Sequence, residues 1–136
     1  MKSRRPAFLS LALVAAVALA GCAGANTSVR NFKGTQRDVA DAIADFQSAG
    51  QRKDEKKICT ELLTVEFANS MRAPKRSCQD EISDALADSD DFDLTVKAVS
   101  VNGANATAQV ENADRTTTFR LQRVGAAWRI ASLGES

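Results

Sequence analysis

One change of hydrophobic period divides this chain. From Thr35 to Leu86 apolar residues recur at three- and four-residue intervals, and from Leu94 to Ile130 they alternate with polar ones. A helix repeats its faces every 3.6 residues and a strand every two, so neither half can take the other's structure without turning its apolar set to water. The pattern predicts an α+β domain: two to three N-terminal helices packed on a curved, four-stranded antiparallel meander sheet.

Local signals place the elements. Thr35 with Asp38 is an S/T-x-x-D/E start signal. Val39, Ala42, Ile43, Phe46 and Ala49 then recur at helical spacing, and Gly50 is a natural C-terminal stop. A second helix is expected from about Lys53 to about Asn69. Ile58, Leu62 and Val65 make its apolar stripe, and Cys59, Leu63 and Phe67 widen it. Asp54 and Glu55 fall in its first turn, where the helix dipole favours negative charge. Pro74, Lys75 and Arg76 mark a loop, after which Ser77 and Asp80 repeat the capping pattern. They open a short third helix carrying Cys78, Ile82, Ala85 and Leu86.

In the second half, Leu94, Val96 and Ala98 alternate before Val99 and Val101 shift phase, which predicts a bulge near Ala98. Asn102-Gly103 is a hairpin signal. Ala106, Ala108 and Val110 form the next alternating set, and a turn falls at Asn112 to Arg115. Thr117, Phe119 and Leu121 define the third strand. Gly125-Ala126-Ala127 turns the chain into a last strand with Trp128 and Ile130 on one face.

The N-terminus has a different character. Lys2, Arg4 and Arg5 precede an apolar run from Ala7 to Ala20, broken only by Ser10, and small residues close it. A basic start, an apolar centre and a small-residue boundary read as a secretion signal over residues 1–21. The run has 14 residues, fewer than the roughly 18 that span a bilayer as a helix. Residues 22–34 are small, polar and aperiodic and read as a flexible tether, leaving 35–134 as a single domain.

At the end of that run, Leu19-Ala20-Gly21-Cys22 resembles the lipobox of bacterial lipoproteins. The resemblance implies that the Cys22 thiol receives a diacylglycerol group, that a dedicated peptidase cuts before it, and that the protein stands on the outer face of the cell membrane. Two acyl chains hold firmly where one binds only reversibly. The competing reading is ordinary secretion, since Ala23-Gly24-Ala25 is an A-x-A pattern that a general signal peptidase cuts. Cys22 would then leave with the signal and the protein would be soluble.

Two cysteines remain, Cys59 and Cys78. An even number of thiols in an oxidising compartment predicts a disulfide, with free buried thiols as the alternative. Without any His or a third free Cys the chain offers no zinc set, and a catalytic thiol would lack its base. No cofactor or metal is expected.

The whole chain carries 18 Lys and Arg against 17 Asp and Glu; loss of Lys2, Arg4 and Arg5 with the signal leaves 15 against 17. A near-neutral mature protein lacks the basic footprint that nucleic acid requires. Local clusters occur at Arg52, Lys53, Lys56 and Lys57, at Arg72, Lys75 and Arg76, and in the acidic stretch from Asp80 to Asp93. They are read as solvated faces ahead of docking sites.

Helices first, then a meander ending in Gly125-Ala126-Ala127-Trp128-Arg129-Ile130, resembles the nuclear-transport-factor-two-like superfamily. The closest likeness is to the small extracytoplasmic lipoproteins of actinobacteria that carry such domains. The last strand of many members has a W-x-I pattern, matched by Trp128 and Ile130, and the likeness spans residues 35–134. It implies a cystatin-like cone in which the sheet wraps the first helix around an apolar pocket, lined by position by Phe46, Phe119 and Trp128.

Catalytic members of that superfamily set His, Tyr or Asp in the pocket. This chain has no His and no Tyr, and Asp38, Asp41 and Asp45 fall on the polar side of the first helix. The expectation is a non-catalytic domain that binds a small apolar ligand or an extracytoplasmic protein. A carboxylate-dependent enzyme of the same fold is the alternative, and it would need an acid pointing into the cavity with a polar partner. Thr116, Thr118, Arg120 and Arg129 give the outer sheet face a polar character that argues for a monomer.

Overall fold

A computed structural model describes residues 27–89, 92–113 and 115–134. The signal segment, the lipobox with Cys22, and Asp90, Asp91 and Asp114 lie outside the described residues. The architecture is α+β: among the described residues a 3-10 helix and four α-helices, with a π turn between the second and third, precede one four-stranded antiparallel sheet whose strands neighbour one another in sequence order. No helix among the described residues is long and apolar enough to cross a membrane.

The packed chain begins before Thr35. Thr27–Asn31 form a 3-10 helix whose Val29 is buried, and Phe32 packs against the same core. Two apolar residues three apart in a polar stretch suffice to fold it back onto the first long helix, Thr35–Gln51, and the first strand, Thr95–Asn102. The expected tether is thereby shortened at its C-terminal end.

Helix α1 spans Thr35–Gln51. Gly34, at φ 58, occupies its N-cap with no side-chain cap, so Thr35 is the first helical residue and not the cap. At the other end Gly50 is inside the helix. A Cβ built on it would lie 2.4 Å from the Phe92 ring, so this glycine is there for close approach. The residue that reverses the chain is Lys53, at φ 54. Its N–H donates to the Gly50 carbonyl (3.0 Å) and the Asp54 N–H to the Ala49 carbonyl (2.9 Å), the bond pair of a Schellman motif.

The second helix is not continuous. A short α2, Glu55–Lys57, is capped by the Asp54 carboxylate and runs into a π-helical turn over Ile58–Leu62. There the Leu63 N–H donates to the Ile58 carbonyl, five residues back. Leu63 is extended, Thr64 caps a new helix, α3 (Val65–Ser70), through a bond from the Phe67 N–H, and the helical phase restarts. The cause is tertiary: the Thr64 N–H donates to the Ile130 carbonyl at 2.9 Å, and Leu63 bridges Ile130 in parallel. Val65, expected on the apolar stripe, is 64% exposed as a result.

Helix α4, Cys78–Ala87, carries the reciprocal Ser77–Asp80 capping box expected of it. Hydrogen bonds from the Ser77 side chain and then its backbone hold the Asp80 carboxyl below its ordinary value of 3.8. Ile82 and Leu86 face inward and Ala85 is exposed. A disulfide joins Cys78 to Cys59 in the π turn, tying α4 to the segment beneath it.

The strands are β1 (Thr95–Asn102), β2 (Asn105–Asn112), β3 (Arg115–Val124) and β4 (Ala127–Ser132). Lys97 is the extra residue of a bulge in β1, where the phase shift predicted one. A second bulge, at Ala131 in β4, left no mark in the apolar pattern. Both outer hairpins close on a Gly-Ala pair, with Gly103 at φ 59 and Gly125 at φ 64 and no positive φ at either alanine. Positive φ at the first loop position alone is the pattern of a II′ turn, not of the I′ turn that Asn-Gly suggests.

One face of the sheet carries Val96, Val99, Ala106, Ala108, Val110, Phe119, Leu121, Trp128 and Ile130, all buried, and α1 packs against β1, β2 and β4. The other face is polar and exposed. Buried Gln47 secures the chain before β1: its side chain donates to the Asp93 carboxylate (2.9 Å) and accepts from the Leu94 N–H (3.2 Å).

Four outcomes are expected in urea or thermal melts. Gly50→Ala pushes the Phe92 ring off α1 and destabilises by about 1–2 kcal/mol, the overpacking penalty exceeding the gain in helix propensity. Lys53→Gly relieves the left-handed seat and stabilises by about 1 kcal/mol. Replacing Cys59 and Cys78 together by Ser loses roughly 3 kcal/mol, the value for a closed loop of this length. The Asp80 contribution is complete above pH 3.8 and is lost as pH falls through its depressed value, so Asp80→Asn flattens the acid limb of the stability profile.

Candidate binding cleft

Phe46 (4% exposed) and Phe119 (6%) sit in the core with ring centroids 6.3 Å apart, edge to face. Phe92 also meets Phe46, at 5.4 Å between centroids and again edge to face. Edge-to-face packing lets the positive ring edge meet a negative ring face. These contacts place the first two of the three expected lining residues in mutual contact.

Trp128 is equally buried, at 6%, but it also lines a 380 Å³ surface cleft. That cleft opens where the outer side of α1 faces the π turn and the β3–β4 hairpin. Asp38, Asp41 and Asp45 come from α1, Lys57 and Glu61 from the neighbouring helical segment, and Ala126 and Ala127 from the hairpin. Asp41 lies 3.8 Å from Arg37, both more than half exposed, a geometry worth little in water.

The chemistry follows from the lining. Four exposed carboxylates and one ammonium give the cleft a net negative charge beside an indole. Such a wall attracts a cationic group electrostatically and offers apolar area to whatever carries it. No group of three or more His, Cys, Asp or Glu among the described residues is close enough to hold a metal ion.

Asp38, Asp41 and Asp45 have i, i+3, i+7 spacing, a single stripe in sequence. What the sequence did not disclose is that the β3–β4 hairpin comes round to face that stripe. Two other clefts lie elsewhere. One, of 440 Å³, is on the outer sheet face around Ser100, Asn105 and Arg120; the other, of 640 Å³, is beside Phe67, Thr118 and Leu133. Neither is lined by Phe46, Phe119 or Trp128.

The Cys59–Cys78 bridge lies apart from the cleft lining, on the α4 side of the π turn, and it fixes the backbone that supplies Glu61 and Leu62. Arg129 helps from the other direction, donating to the Thr60 carbonyl at 3.0 Å. No known protein family, curated protein or solved structure matches this chain.

Trp128 is the only tryptophan and there is no tyrosine, so the emission of the protein comes from a residue that lines the cleft. Relative to a free tryptophan amide, caesium quenches Trp128 more efficiently than iodide does. The preference disappears in the Asp38→Asn, Asp41→Asn, Asp45→Asn triple variant. Equal relative quenching in the unsubstituted protein would remove the case for a negative wall at the indole.

Proposed function

We propose that this chain is a lipid-anchored, extracytoplasmic binding domain of the nuclear-transport-factor-two-like kind, without catalytic activity, whose partner docks at the Trp128 cleft. The anchoring half rests on Leu19-Ala20-Gly21-Cys22 at the end of the apolar run. The family half rests on the order of helices and meander, with α1 lying across the sheet and Trp128 and Ile130 on the inner face of the last strand.

The observation that carries the binding half is the cleft in which Trp128 meets the Asp38–Asp41–Asp45 stripe. Phe46 and Phe119 occupy the interior with their own rings, which favours surface docking over enclosure of a small apolar ligand. The complementary partner is an extracytoplasmic protein or ligand with a cationic group for the carboxylates and an apolar portion for the indole. A carboxylate-dependent enzyme is less well supported, because the acids of the cleft are exposed and a catalytic acid or base is tuned by burial and a polar neighbour.

Two measurements separate the halves. Detergent-phase partition of the cell-derived protein, with Cys22→Ser as control, tests the anchor. The unsubstituted protein enters the detergent phase and the variant does not; equal partition into water discards it. Titration with a lysine-rich peptide, read by Trp128 emission, tests the cleft. Saturable change abolished by the triple Asp→Asn variant supports it, and no change at any concentration removes it.

A further inference from the structure

The route from anchor to fold is short. Thr27, where the 3-10 helix begins, follows Cys22 by five residues, so however those residues are arranged they reach no more than about 18 Å. A domain of about 100 residues has a radius of gyration near 13 Å and cannot tumble freely on such a lead. The side at which it attaches stays close to the leaflet.

Contacts identify that side. The 3-10 helix packs on α1 and β1, and the Gln36 side chain, in the first turn of α1, donates to the Val99 carbonyl at 3.0 Å. The first half of α1 therefore lies beside the second half of β1, which leads into the Gly103–Ala104 turn. That turn touches the β3–β4 hairpin, where the Arg123 N–H donates to the Ala104 carbonyl at 2.8 Å. The start of α1 and both Gly-Ala turns share one end of the molecule, the end at which the chain enters α1 through Lys33 and Gly34.

The exposed side chains there combine cations with an open apolar residue. Arg30, Lys33, Arg37 and Arg123 supply four cations. The facing anions are Asp38 and, one turn on, Asp41, which shares Arg37. Asn102, Asn105 and Gln122 are neutral. Beside Arg123 stands Val124, one of two large apolar residues left open among the described residues, at 45% exposure. Cations flanking an exposed apolar tip fit a lipid interface, where headgroup phosphates take the charge and the tip enters the boundary.

We propose that the tether end, comprising Arg30, Lys33, Arg37, Arg123 and Val124, docks on the anionic headgroups of the leaflet that holds Cys22. This rests on the anchoring reading above and adds an orientation to it: the β2–β3 turn and the C-terminal end of α1 point away from the membrane. Lys53 follows that end of α1, where Gln51 is about 24 Å along the helix from Thr35.

Amine-reactive footprinting of the lipidated protein, reconstituted in vesicles and read by mass spectrometry, tests the orientation. In phosphatidylglycerol vesicles Lys33 labelling falls about fivefold or more relative to phosphatidylcholine vesicles, and high salt restores it. Lys53 and Lys97 label alike in both. In an Arg30→Glu, Arg37→Glu variant, whose helix content is checked by circular dichroism, Lys33 regains the labelling seen in neutral vesicles. Equal Lys33 labelling in both lipids overturns the docking while the anchor stands, and equal protection of Lys33, Lys53 and Lys97 overturns the orientation. The mass of the N-terminal peptide is read first: a Cys22 without acyl chains overturns the anchor, and the docking with it.

Discussion

Val39, Ile43 and Phe46 leave water only because the meander lies beneath them, and the meander has a dry face only because α1 covers it. Neither could persist alone: a single helix is marginal in water, and a sheet with one apolar face exposed invites association. Their mutual burial is the contact on which the other elements depend. It also sets what the connecting segments must do. The Phe92–Leu94 stretch has to reach from α4 to the start of β1 across the end of α1, and the three residues Gln47, Gly50 and Gln51 receive it, two by hydrogen bonds and one by having no side chain.

The same contact leaves two open sheet edges, and both are blunted by polar bonds from the helical half. On the β1 side the Gln36 amide occupies the Val99 carbonyl and the 3-10 helix packs alongside. On the β4 side Leu63 and Thr64 leave the helix to bond Ile130. Breaking a helix for a single bridge is costly locally. The π turn limits that cost by keeping Ile58 and Leu62 both buried while the chain turns outward. The disulfide then holds α4 to the turn, so the interruption is braced from the side away from the sheet.

Against this background the division between legible and hidden features has a physical basis. Features set by neighbours in sequence were readable: the change of period, the Ser77–Asp80 box, the bulge that shifts Val99 out of phase with Val96, and the inward set of Trp128 and Ile130. Features set by distant partners were not. Nothing near Leu63 announces that Ile130 will claim the next backbone group, so a continuous helix was the natural reading. Gly50 looks like a stop because glycine commonly ends helices; its role comes from Phe92, and Lys53 takes the left-handed seat in its place. The candidate cleft divides in the same way. The Asp38–Asp41–Asp45 stripe and Trp128 were each visible, but a stripe of acids reads as a solvated face until the opposing hairpin is known.

How the cleft is built bears on how it could select a partner. Its acidic wall is one face of a 17-residue helix whose opposite face is the core, so the carboxylates cannot be displaced without disturbing Val39 and Ile43. Its other wall is a hairpin closed by a glycine turn and bonded to its neighbour through Arg123 and Ala104. A wall on rigid elements keeps its charges at fixed spacing without a folding cost on association, so discrimination falls to the partner's shape and charge. In the docked orientation proposed above, Asp38 would stand nearest the headgroups and Asp45 farthest from them. On that proposal a partner approaching from the aqueous side would meet Asp45 before Asp38, with the indole in the same cleft.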